Sequence, residues 1–208
     1  KYKDIACENV QLYHNLGATT LLAPGNVTSI APFFNPWSTI ARGTGRNERV
    51  GDKITPRGMS LKLYMANKVD RPNTMVRIIV AILPKMYNNT VTTNVFYPFQ
   101  IFTGLGNNML IPADQDKGVK FLYDRVHRMG DALNGHISGS GGGKERTKTV
   151  KLWIKRKRSR DIVFDNNLTE IVNKPLAVYA IPYEQYSTIE TDNVTSIAGA
   201  MRLYYKDI

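Results

Sequence analysis

Apolar residues along this chain recur mostly with period two over short runs, and clusters of Gly, Pro, Asn and Asp interrupt them. That is the pattern of strands joined by turns. In Met59–Met65 every odd residue is apolar, while Ser60, Lys62 and Tyr64 fill the even positions, so one face packs inward and the other is wet or paired. After the turn at Asp70–Asn73, residues 75–83 are apolar on both faces except at Arg77, as a central strand covered on each side requires. The short connection between these two segments predicts a hairpin. Further strands are expected at 2–13, 120–128, 147–158, 160–164, 176–183 and 197–205, about eight in all, a count typical of sandwiches and jelly rolls.

No stretch keeps an i, i+3, i+4, i+7 apolar stripe over three turns, so at most one helical turn is expected, near residues 167–172. Three long connections remain: 15–55, 85–117 and the Gly-rich 130–144. Loops of this length in a compact domain usually serve function or interfaces. With no internal repeat and no Pro/Ser-rich linker, residues 1–208 read as a single domain.

Charge sharpens this picture. The 208 residues carry 28 Lys and Arg against 17 Asp and Glu, a formal net charge of +11, which points to a polyanionic partner such as nucleic acid or an anionic membrane. The longest large-apolar run, Ile78–Leu83, falls far short of the roughly 18 residues a spanning helix needs, so membrane insertion is not expected. One cysteine, Cys7, forms neither an intrachain disulfide nor a cysteine-based zinc site. No secretory signal peptide is recognisable.

The positive charge is concentrated. Between Lys144 and Arg160 lie nine basic residues and one acid, Glu145, accounting for eight of the eleven net charges. Strand periodicity puts Val150, Leu152 and Ile154 on one face, and Lys151, Trp153, Lys155 and Lys157 on the other. Cations follow phosphates and an indole stacks on any base, so a Trp within a cation row suits single-stranded nucleic acid. Two other uses compete: an outer strand whose lysines block edge pairing, and a nuclear localisation signal at Lys155–Arg158, which a paired strand would conceal. Arg156, Arg158 and Arg160 extend the basic set, and Lys1, Lys3, Arg42, Arg46, Arg49 and Lys53 are additional candidate phosphate partners.

Other motifs carry less. Arg42–Arg46 contains a Gly-x-Gly, but no strand-to-helix context follows and no third glycine has the dinucleotide spacing. His14, His127 and His136 share no metal-ligand spacing. No nucleophile-elbow signature marks a catalytic site, and no cofactor is implied. The sequons at Asn26, Asn88, Asn167 and Asn193 read as turn residues. Phe96, Tyr97, Phe99 and Phe102 suit core lining or a contact with a neighbouring subunit.

The opening Lys1–Asp4, the segment Ile40–Gly45 followed by Arg49–Ile54, and the Lys-rich strand with Asp161–Phe164 and Asn173–Leu176 after it together resemble capsid proteins of circular, Rep-encoding single-stranded DNA viruses, the circovirus-like group. The likeness is one of layout over nearly the whole chain, and Gly43-Thr44-Gly45 to Arg49-x-Gly51-x-Lys53-Ile54 is its most specific part. The Arg-rich N-terminal arm usual in that group is absent from these residues. The resemblance implies an all-β, single eight-stranded jelly roll of two packed antiparallel sheets. Its strands B to I would fall at 2–13, 59–67, 75–83, 120–128, 147–158, 160–164, 176–183 and 197–205. It also implies an icosahedral T=1 shell of about sixty copies around single-stranded DNA, located in the virion and, during assembly, in the host nucleus.

An Arg- or Lys-rich arm upstream of Lys1 is therefore expected, because sixty copies at +11 supply only roughly 660 positive charges against one negative charge per nucleotide. Three other functions remain open: a single-stranded nucleic-acid-binding β domain that does not assemble, the coat protein of a small single-stranded RNA virus, and a jelly-roll enzyme or lectin. The last has neither metal ligands nor a paired-carboxylate signature to support it.

Overall fold

The computed structural model of the chain describes residues 9–22, 36–45, 48–67, 74–83, 112–113, 118–129, 147–155, 161–165, 171, 173, 176–183 and 193–207. They form an all-β structure of strands β1 (Asn9–Leu22), β2 (Lys53–Asn67), β3 (Met75–Ile82), β4 (Lys120–Arg128), β5 (Thr147–Lys155), β6 (Ile162–Val163), β7 (Leu176–Tyr183) and β8 (Asn193–Asp207), with one 3-10 turn at Pro36–Thr39. Every ladder is antiparallel. The larger sheet runs β1-β8-β2-β5, with β6 also paired to β2, and the smaller runs β4-β3-β7.

The sheets face one another across a common core. From the larger sheet come Met59, Leu61, Leu63, Met65, Val150, Ile154, Ile197, Met201 and Leu203; from the smaller come Val76, Ile78, Val80, Leu176 and Val178, and Trp37 and Ile40 join them from the segment ahead of β2. The odd-numbered apolar row of β2 is thus its inner row, while Lys62 and Tyr64 are exposed. The smaller sheet also buries the β3 and β7 part of its outer face, where Ile79, Ala81, Tyr179 and Ile181 form a second cluster with Val119. Burial on both faces is what the unbroken apolar run of β3 requires.

β4 and β7 have the bounds the alternation predicts, and four differences have identifiable causes. β1 runs on through Asn15–Leu22, which reads as a connection, because its partner β8 is long enough to hold it past a register shift at Asn15/Gly17. β2 starts at Lys53 because a shift between Pro56 and Gly58 absorbs the Pro and Gly that read as breakers. The expected hairpin of 59–67 with 75–83 does not form: β2 pairs with β8 and β5, β3 with β4 and β7, and the chain crosses between sheets. Each segment has an apolar face for the shared core, and facing sheets satisfy both where a hairpin would place them side by side. The strand expected at 160–164 shortens to β6 with a bridge from Phe164 to Ile171. Residues 1–8 and 156–160, the whole of the 130–144 connection and most of the 85–117 connection lie outside the described residues, as does the expected helical turn except for Ile171.

Candidate nucleic-acid interface

Register decides which side chains share the outer face of the larger sheet. β5 is paired to β2 with Lys155 opposite Gly58, Trp153 opposite Ser60, Lys151 opposite Lys62 and Thr149 opposite Tyr64. On its other side β2 sets Gly58 opposite Tyr204, Ser60 opposite Arg202, Lys62 opposite Ala200 and Tyr64 opposite Ala198. Four transverse rows result, carrying Lys62, Lys151, Lys155 and Arg202 among Tyr64, Trp153 and Tyr204. Asp and Glu hold no position in these rows among the described residues. Lys62 and Lys151 stand directly opposite, an arrangement that costs stability through like-charge repulsion.

Trp153 is the largest exposed apolar group here, 58% accessible, with Tyr64 at 49%. The indole lies over Gly58, where an added Cβ would come within 3.0 Å of Cζ2 and 3.2 Å of Cη2. Tyr204 meets it edge-on, with centroids 5.3 Å apart and planes at 66°. This edge-to-face arrangement fixes the ring's attitude on the sheet.

Of the residues the sequence singles out, Lys151, Trp153 and Lys155 are brought together on this face, and all three are exposed. Lys53 is exposed but has its own counter-ion: its Nζ is 2.9 Å from Asp161 Oδ2, and the Thr55 hydroxyl donates to Asp161 Oδ1 at 2.8 Å. These contacts hold the Asp161 carboxyl below its usual range, the Lys53 hydrogen bond being the largest cause. Arg42 is exposed beside Asp52, at 3.5 Å. Lys1, Lys3, Arg46, Arg156, Lys157, Arg158 and Arg160 fall outside the described residues.

Arg49 corrects its expectation as a phosphate partner. It is wholly buried, and its Nη1 donates to Gly51 O at 2.7 Å and to Asp52 Oδ1 at 3.1 Å. Its guanidinium sits 4.1 Å from the centre of the Phe164 ring. This is a structural cation tying the start of β2 to the β6 segment, where Phe164 N also donates to Asp52 O at 2.8 Å. The neighbouring Gly-x-Gly is likewise internal in use: Gly45 N donates to Glu48 Oε2 at 2.7 Å, and a Cβ on Gly43 would meet that oxygen at 1.9 Å. The loop closes around a carboxylate of its own.

No family model and no curated protein matches this chain. Its functional reading accordingly rests on the geometry and on the sequence resemblance. Among the described residues no three His, Cys, Asp or Glu side chains gather as a metal site, and no helix is long and apolar enough to cross a membrane. Sequence reasoning missed Arg202 and Tyr204, and it read Lys62 and Tyr64 as an outward row without a role. The signal for Lys62 and Tyr64 was their alternation; for the β8 pair it was the ladder to β2, which sequence spacing does not reveal.

A second basic group lies where β4 and β5 form neighbouring edges of the two sheets. Tyr123 OH and His127 Nε2 are 2.9 Å apart, and Lys148 Nζ donates to Arg128 O at 2.9 Å, linking the edges. Burial first, then Lys148 and Arg125, push the His127 pKa down.

Proposed function

We propose that the chain is the coat subunit of a circovirus-like shell, and that the outer face of its β1-β8-β2-β5 sheet binds packaged single-stranded DNA. One observation carries the reading: a sheet face with four cations around an exposed indole, in rows without an acid, although two lysines there repel each other. A merely solvated face has no use for that repulsion. A face that neutralises phosphate does.

The strand order supports the jelly-roll part. Wrapping an antiparallel ribbon of strands 1 to 8, paired first with last and so inward, gives sheets ordered 1-8-3-6 and 2-7-4-5. The observed ladders β1·β8, β8·β2, β2·β5, β4·β3 and β3·β7 match 1-8, 8-3, 3-6, 5-4 and 4-7 when β2 takes the third place. The lettering implied by the resemblance then moves by one: 53–67 is strand D and not C, 75–82 is E, 120–128 is F and 147–155 is G. The second place, beside β7, has no strand among the described residues.

Electron microscopy and light scattering of the purified chain test the assembly. The expected result is closed particles of about 1.4 MDa for sixty copies of 23.4 kDa. A monomer at every salt and pH tried, with salt-dependent oligonucleotide binding intact, replaces this reading with that of a non-assembling single-strand-binding domain, which the Trp153 face also suits.

A further inference from the structure

Lys62, Lys151, Lys155 and Arg202 meet phosphates, and phosphates are common to duplex and single strand. These cations alone cannot tell the two apart. The discriminating group on this face is the one that takes the flat side of a base, which a single strand offers and a duplex keeps inside its stack.

We propose that Trp153, seated on Gly58 and braced by Tyr204, is a stacking site for one unpaired base, and that Gly58 sets the preference of this face for single-stranded over duplex nucleic acid. The inference rests on reading the face as a nucleic-acid interface and assigns the part of that interface that senses strandedness. Gly58 is an interior strand position, where glycine is ordinarily unfavourable unless another group approaches the backbone closely. Here the approaching group is the indole. A Cβ at residue 58 would stand 3.0 Å from both the ring and the Ile154 carbonyl oxygen, so with backbone on one side the ring must give by a few tenths of an ångström. That shift would disturb the seating of Trp153 against Tyr204 while leaving every charge in place. Trp153 is held by contacts on one side and remains 58% accessible, so little side-chain freedom is lost when a base covers it. Lys151 and Lys155 flank it two residues away on the same face, within reach of the phosphates on either side of a stacked nucleotide.

The test compares oligothymidylate, a duplex of equal charge and inorganic polyphosphate as probes of the intact chain. Trp37 is 1% exposed, so fluorescence quenching reports Trp153. The single strand is expected to quench and polyphosphate to bind without quenching. Gly58→Ala and Trp153→Leu should each weaken single-strand binding about tenfold, with the salt slope and duplex affinity unchanged. Equal losses on single strand and duplex, or single-strand binding that leaves the emission unaltered, would overturn the stacking site while leaving the electrostatic interface standing. Absence of salt-dependent binding to all three probes would overturn the interface and the stacking site together. The indole also covers Gly58, so Trp153→Leu carries a folding cost; the quenching comparison needs no variant and decides the matter on its own.

Discussion

The two sheets share one core and treat their outer faces in opposite ways. On the smaller sheet the β3 and β7 part of the outer face is buried, and the cation buried there is answered: Arg77 donates from Nε and Nη2 to the two carboxylate oxygens of Asp124, at 2.7 and 2.6 Å, while Arg128 stands exposed at the β4 edge. On four rows of the larger sheet the outer face is open, and four cations share those rows without an acid. A cation that belongs to the fold brings its carboxylate, because a buried unpaired charge is among the most costly things a protein can contain. Cations left unanswered and set opposite one another are what the proposed interface would offer to phosphate. Arg49 and Lys151 show the same division: similar as residue types in the sequence, one is enclosed with Asp52 and the other exposed beside Lys62.

The sharpest way to break the contrast is to remove the acid from the closed face. Asp124→Ala should destabilise the chain by about 3 kcal/mol, since Arg77, only 8% exposed at its side chain, would lose its bidentate partner. Chemical denaturation measures this. A change below about 0.5 kcal/mol would show that the pair is no more than a surface contact.

Alkaline pH tests the closed face through Tyr179. Burial raises the Tyr179 phenol from 10.0 to about 12. Between those values the folded chain holds a proton that the unfolded chain has released, so stability falls as pH rises from 10 towards 12. Burial raises Tyr205, on the core side of the larger sheet, to about 12 as well, so Tyr179→Phe should remove only part of that dependence. Lowering the pH acts on the margin between the sheets, where the depressed His127 pKa means the unfolded state takes up the proton first. Stability should fall as pH drops through about 6.5, and His127→Gln should weaken that dependence.

On the open face the expected signs reverse. Lys62→Ala and Lys151→Ala should each leave stability unchanged or raise it by a few tenths of a kcal/mol, because the opposed pair repels. Each should also reduce the slope of log K against log salt for a single strand by about 0.7. Loss of stability with an unchanged slope would make these lysines structural and erase the difference between the faces.

How much of this was legible in the sequence follows from the range of the interactions involved. Alternation is local, so the all-β class, the bounds of β4 and β7 and the outward row Lys151-Trp153-Lys155 could be read directly. Pairing is not local. The hairpin expected between β2 and β3 is the simplest inference from a short turn, yet long-range ladders with β8 and β7 decide where those strands go. The site was half legible for the same reason. Its β5 row is contiguous in sequence, whereas Arg202 and Tyr204 join it only through the register of β8 on β2. Arg49 was misread because a positive charge in a sequence carries no sign of whether an Asp three residues on and a Phe over a hundred residues away will enclose it.

Lys53 supplies the finest test, since it stands between the two behaviours. It is 52% exposed at the side chain like the open-face lysines, but is tied to Asp161 like the cations of the fold. If counter-ions decide which cations serve a partner, Lys53→Ala should change the single-strand salt slope by less than Lys151→Ala, because a lysine already paired releases fewer counter-ions when a phosphate approaches. The acid side offers an independent measure. The Asp161 carboxyl is held below 3.8, so its contribution to stability is present above that value and lost as pH falls through the lower folded pKa. Asp161→Asn should remove that part of the acid dependence and make Lys53 count in the salt slope as Lys151 does. Equal slopes for Lys53→Ala and Lys151→Ala in the unaltered background would show that exposure alone, and not the absence of a carboxylate, selects the cations that bind.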